Sequence, residues 1–235
     1  MVPRPSLSAL ETSLDGVRLV LSELQAEALR VPVNRTFFPR RSVILSSLIV
    51  TLTGYFESFL RDFAKEFAAE LSIKKVPFIQ LDQRIQKAHF AIGGKILSEA
   101  LKPKRRLHIQ APPIDIAERL ASVGHGTYNL LWESFAETQS NPGSEAVGHY
   151  LSSMAVTGGF EAVANRLMAA NPQQPASAAV LKQALDALVE RRNECAHTGG
   201  TTQVLSEADV ENYCVLLSQV AMGIAEAVEM VIVAA

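Results

Sequence analysis

A chain of 235 residues, 48% hydrophobic and 20% charged, is long enough to bury a sizeable core, which excludes a disordered polypeptide. Its formal net charge of −2 excludes a surface coated in positive charge, so contact with nucleic acid has to come from a local patch. The two cysteines, Cys195 and Cys214, are too few for a disulfide framework and stand apart from any Cys/His cluster, so neither a structural metal nor a cofactor is expected.

Apolar residues recur at three- and four-residue spacing along almost the whole chain, and sustained period-two alternation is absent, which predicts an all-α fold. The segment from Met1 to Pro5 lacks the charged and apolar regions of a secretion signal, so the default expectation is a cytoplasmic protein. A first helix is expected from about Leu7 to Leu29, broken by Val31-Pro32 and Phe37-Phe38-Pro39. A long second helix should run from about Arg40 to Ser72. Its Leu48, Leu52, Tyr55, Phe56, Phe59, Leu60, Phe63 and Phe67 form one apolar stripe, the mark of a central core helix.

Lys74-Lys75-Val76-Pro77 ends that helix, and a third is expected over about Phe78 to Leu101. The most basic run of the chain follows, Lys102-Pro103-Lys104-Arg105-Arg106-Leu107-His108, and reads as a loop. From Pro112-Pro113 onward the helical pattern weakens, with breaks at Gly124-His125-Gly126, Asn141-Pro142-Gly143 and Gly158-Gly159. Residues 113–170 therefore predict several short helices, as an insertion or a lid. Asn171-Pro172-Gln173-Gln174-Pro175 opens the penultimate helix, which turns Leu181, Leu185, Leu188 and Val189 inward and stops at Thr198-Gly199-Gly200. The last helix starts at Ser206, with Asp209 placed to complete a capping box. Its stretch from Tyr213 to Ala235 has the length of a membrane span. Ser218, Gln219, Glu226 and Glu229 interrupt that stretch, and a core-packed helix with no membrane is the better fit. The expected organisation is an N-terminal helix and connector over 1–39 and a main helical domain over 40–235. The basic loop near 102–108 and a variable section near 113–170 fall inside the main domain.

One segment carries chemistry: Leu188-Val189-Glu190-Arg191-Arg192-Asn193-Glu194-Cys195-Ala196-His197. Arg192 is followed by a polar residue and, after four intervening residues, by a histidine, at the end of a helix and ahead of a final apolar helix. This pattern resembles the HEPN superfamily, and Leu52-Thr53-Gly54-Tyr55-Phe56-Glu57-Ser58-Phe59-Leu60 is similar to the early Glu-bearing helix of its RiboL-PSP-HEPN type. The resemblance, taken over about residues 40–234, implies a compact helical bundle. It implies also a metal-independent endoribonuclease of the toxin or defence kind, dimeric through the motif region, with RNA as substrate and an antitoxin protein as a further partner. Arg84-Ile85-Gln86-Lys87-Ala88-His89 repeats the spacing, but Ile85 replaces the polar residue and the segment sits inside a helical run.

The residue types suit RNA cleavage. A 2′-hydroxyl attacks the adjacent phosphorus once a base takes its proton and a cation steadies the charge that develops, and an imidazole and a guanidinium supply both. His197 is the candidate acid/base, Arg192 the candidate phosphate anchor, and Asn193 a group that can orient either. The alternative is that Arg192 and His197 only place positive charge at a helix C-terminus, where the macrodipole favours it. The chain would then be a non-catalytic RNA-binding or protein-interaction module of a toxin-antitoxin or defence system.

On an ideal helix Asn193 and His197 share a face, whereas Arg192 and His197 diverge by about 140°. Either the last turn unwinds or a second subunit completes the site. Glu57 has two readings as well, a carboxylate that holds Arg192 or His197 as the resemblance implies, or a boundary residue facing solvent. The basic residues Lys102, Lys104, Arg105, Arg106 and Arg191 can contact RNA phosphates or can simply be solvated. Cys195 has no readable Cys-His-Asn/Asp setting, and His125 and His149 have no metal-ligand spacing.

Overall fold

The computed structural model describes residues 4–30, 37–74, 76–102, 111–124, 128–136, 141–170, 177–198 and 204–235. Among them every regular element is helical. In chain order these are α1 (Pro5–Arg30), α2 (Phe37–Ile73), α3 (Gln83–Lys87), α4 (Gly93–Ala100), α5 (Pro113–Ser122), α6 (Ser144–Ser153), α7 (Phe160–Ala170), α8 (Ala178–Thr198) and α9 (Glu207–Ala234). A π turn, Ala88–Ile92, links α3 to α4, and single 3₁₀ turns occupy Phe78–Gln80 and Trp132–Ser134. The expected third helix is thus real from Gln83 onward but locally underwound.

The long helix α2 is the axis of the molecule, in contact with α1, α8 and α9. Phe56, Phe59, Phe63 and Phe67 on its inward face are all buried, with Phe56 stacked on Phe59 and Phe59 tilted against Phe63. Tyr55, expected on that stripe, is 36% exposed, because it falls one helical step beyond the buried face. The helix starts at Phe37, where the sequence suggested a break. Pro39 sits in its first turn, and there a proline's missing N–H removes no hydrogen bond.

Helix α9 begins as its residues demand: the Ser206 hydroxyl caps the Asp209 N–H while the Asp209 carboxylate accepts from Ser206 N. Arg41 of α2 reaches Glu207, and Arg18 of α1 donates to Glu211 at 3.0 Å, fixing the start of α9 against both helices. The far end is tied by Arg4, which bonds Glu70 of α2 at 2.7 Å and also Glu229 of α9, with Phe63 beneath its guanidinium. Both α2 and α9 are long and apolar enough to cross a membrane by length and composition, and both bury apolar surface in the shared core.

The middle section joins that core. Phe135 meets Phe67 edge-on at 5.3 Å, Tyr150 of α6 donates to the Leu60 carbonyl of α2 at 2.8 Å, and α7 packs along α9. Tyr128 packs on Phe78, and Trp132 lies under the Lys65 ammonium. The α7–α9 approach is close because position 223 has no side chain. A Cβ there would lie 2.6 Å from Val163 Cγ1 and 3.1 Å from the Val163 carbonyl. Gly223→Ala should therefore destabilise the chain by about 1–3 kcal/mol, despite alanine's better helix propensity. Urea unfolding of the two proteins measures it, and a change below about 0.5 kcal/mol would mean the helices can part at no cost.

Candidate functional site at the end of helix α8

Helix α8 carries the Arg-x4-His segment and stays helical through Thr198, so the last turn does not unwind before His197. Seen from the core outward, Leu181, Leu185, Leu188 and Cys195 are buried, Arg192 and Asn193 are half-buried, and His197 is exposed. The regular helix keeps Arg192 and His197 on different faces. Asn193 and His197, four residues apart, share one.

The structure brings Glu57 of α2 to Arg192. Burial lifts the Glu57 carboxyl above the ordinary carboxylate value, and the charges of Arg192, then Arg61, pull it back. Glu57 and Arg61 lie one turn apart on the same side of α2, so the two helices meet across a small cluster of alternating charge. Arg192 itself donates from its Nη1 to the Asn193 Oδ1 at 3.1 Å.

Asn141 completes the cluster from a place the sequence analysis passed over as a break. Its Nδ2 donates to the same Asn193 Oδ1 at 3.2 Å, so that oxygen accepts twice and the orientation of the Asn193 amide is fixed. Two turns earlier on α8, Asp186 accepts from both the backbone N–H and the hydroxyl of Ser144 at 2.7 Å each, capping α6. Asp186 and Asn193, seven residues apart on one face of α8, thus hold the 141–144 segment at both ends. Asn141-Pro142-Gly143-Ser144 is legible as a helix start, but partners 42 and 52 residues away leave no local signal.

The remaining candidates separate. Arg191 pairs with Glu194 at 3.4 Å, and Lys102 is exposed and ion-paired with Glu99 at 2.5 Å. Lys104, Arg105 and Arg106 lie outside the described residues, as does His125. Burial pushes the Cys195 thiol up, away from the thiolate a nucleophile needs, with the Ser46 hydroxyl of α2 opposing the shift. The second Arg-x4-His is a core feature. His89 is fully buried between Phe78 and Phe90, its Nδ1 accepts from Leu131 N at 3.2 Å, and burial lowers its pKa to about 4. Arg84 is bound to Asp82 and Thr157, away from that ring. Among the described residues no three His, Cys, Asp or Glu side chains gather where they could hold a metal ion.

Chemically, the cluster offers a fixed guanidinium, an oriented amide and a solvent-facing imidazole within about a turn and a half of one helix. These are group types that bind phosphate and transfer protons, although the regular helix turns Arg192 and His197 to different faces. The sequence model of the RiboL-PSP-HEPN family matches residues 21–230, beginning inside α1 and running nearly to the end of α9. No curated protein and no solved structure gives a significant match. With the match spanning most of the chain and the helical bundle it describes present in the structure, this chain belongs to the RiboL-PSP-HEPN family of the HEPN superfamily.

Proposed function

We propose that the chain is a metal-independent endoribonuclease. His197 takes the proton of a ribose 2′-hydroxyl as that oxygen attacks the neighbouring phosphorus. The P–O5′ bond breaks, leaving a 2′,3′-cyclic phosphate, and the departing 5′-oxygen takes a proton from an imidazolium. Arg192 neutralises the charge gathering on the phosphoryl oxygens, and Asn193 orients phosphate or imidazole. Glu57 acts as a positioning residue on Arg192. The observation that carries the reading is the placement of Arg192, hydrogen-bonded to the Asn193 beside it and within electrostatic reach of Glu57 across the helix interface, next to an exposed His197. A guanidinium serving only the helix end needs no half-buried carboxylate facing it from a second helix.

Because α8 is regular through Thr198, one copy cannot aim Arg192 and His197 at a single phosphate, and the reading includes a two-fold homodimer whose motifs share a groove. A second copy's His197 then supplies the imidazolium for the leaving oxygen, and the doubled cations supply phosphate affinity that a net charge of −2 does not. Light scattering at micromolar concentration should report about twice the 25.5 kDa chain mass. Active protein that stays monomeric would remove the shared groove from the account. The family resemblance extends the proposal to a cytoplasmic toxin or defence nuclease restrained by an antitoxin protein. The nuclease itself is tested by incubating the purified chain with RNA and chelator: cleavage should persist, and RNA with 2′-deoxy sugars should resist it.

A further inference from the structure

An open groove of about 830 Å³ lies between the α3–α4 run and α6, and Asn141 stands at its end. One wall is a stripe at helical spacing: Arg84, Lys87 and Lys95, with Ala88, Ala91 and Ile92 between the cations. The π turn at Ala88–Ile92 forms the middle of this wall, the kind of local underwinding that recurs at functional sites. The facing wall is one side of α6, bearing Glu145, His149 and Ser153. On that wall Glu145 stands 3.8 Å from His149, and Asp186, which also lines the groove, is occupied in capping Ser144. Arg84, bonded to Asp82 at 2.9 Å, marks one end of the cationic wall, and the Lys87 and Lys95 side chains lie along it at the surface.

We infer that this groove seats a single-stranded RNA segment beside the cleavage point. A small apolar floor flanked by cations suits a nucleotide unit, with a base or ribose against Ala88, Ala91 and Ile92 and phosphates at Lys87 and Lys95. A base can reach that floor only when unstacked, which selects single strands over duplex. The imidazole and hydroxyl of α6 face the polar edges. Asn141 links the groove to the motif, because the residue lining its end is the one that bonds Asn193. The inference rests on the ribonuclease reading in taking the ligand to be the substrate strand.

Binding of a short fluorescein-labelled single-stranded RNA by His197→Ala protein, followed by anisotropy across a salt series, tests it without turnover. Adding Lys87→Glu and Lys95→Glu should weaken binding at least about tenfold and lower the slope of log affinity against log salt by about 1.4, two phosphates at roughly 0.7 each. Ala91→Phe, which fills the exposed floor without altering charge, should weaken binding at an unchanged slope. Unchanged affinity and slope in both variants, each with a native circular dichroism spectrum, would overturn the groove assignment. The two readings fail separately. If chain with His197 intact cleaves RNA and the groove variants bind and cleave as well as it does, the groove is wrong and the nuclease stands. Should the groove variants lose RNA while the unsubstituted chain cuts nothing, the groove stands and the nuclease is wrong.

Discussion

Arg192→Ala and His197→Ala should each slow RNA cleavage by about a hundredfold to ten-thousandfold, the range expected for removing a charge-stabilising donor or a general acid/base. His197 is exposed and Arg192 half-buried, so the loss of stability should be on the order of 1 kcal/mol and the variants should remain folded. Arg192→Ala has a second consequence. It removes the larger of the two charge effects that offset burial of Glu57, so the carboxyl should move further above its ordinary value. A raised folded-state value makes the ionised carboxylate a liability, absent below the unfolded value near 4 and fully present above the folded one. The stability cost of Arg192→Ala should therefore grow between acid and neutral pH. A cost that shrinks as pH rises would separate Glu57 from Arg192.

The second large effect belongs to His89 and to the fold. Its folded value of about 4 against an ordinary 6.5 means that the unfolded chain binds a proton the native chain refuses. The stability held at neutral pH should be lost as pH falls from about 6.5 through 4, on the order of 3–4 kcal/mol at about 1.4 kcal/mol per pH unit. Glu57 and Glu133, raised by burial, act in the opposite direction over part of this range, so the comparison is made against His89→Phe. Urea unfolding at pH 7 and pH 5 should show a much steeper loss for the unsubstituted chain. Parallel curves would mean that His89 already carries its proton in the native state. The same result bears on the duplicated Arg-x4-His pattern, since a neutral histidine sealed among Phe78, Phe90 and Leu131 has no access to substrate.

Most of the architecture was legible in the sequence because helices announce themselves through a local period. The phenylalanines of α2 and the Ser206–Asp209 capping box needed only neighbours three or four residues away. Phe37-Phe38-Pro39 misled because proline ends a helix from within yet begins one readily, and the residues alone do not say which side of the boundary they occupy. The π turn was invisible for a related reason, as the local apolar spacing does not mark where one extra residue enters a turn. At the site, the Arg192, Asn193 and His197 set was readable as a pattern, and Glu57 through family resemblance. Asn141 and Asp186 were not, since their partners are brought near only by the packing of α6 on α8. The groove was missed likewise, because its two walls are 50 or more residues apart and each alone is an ordinary polar helix face.

The end of α8 either cuts RNA or only places positive charge at a helix terminus. The most direct measurement incubates purified chain with a single-stranded RNA in the presence of chelator, beside His197→Ala prepared identically, and follows the products by end-group analysis. The proposal predicts fragments ending in 2′,3′-cyclic phosphate from the unsubstituted chain and almost none from His197→Ala. Equal cleavage by the two proteins, or intact RNA with both, would contradict it and leave Arg192 and His197 as charges that serve only the helix end.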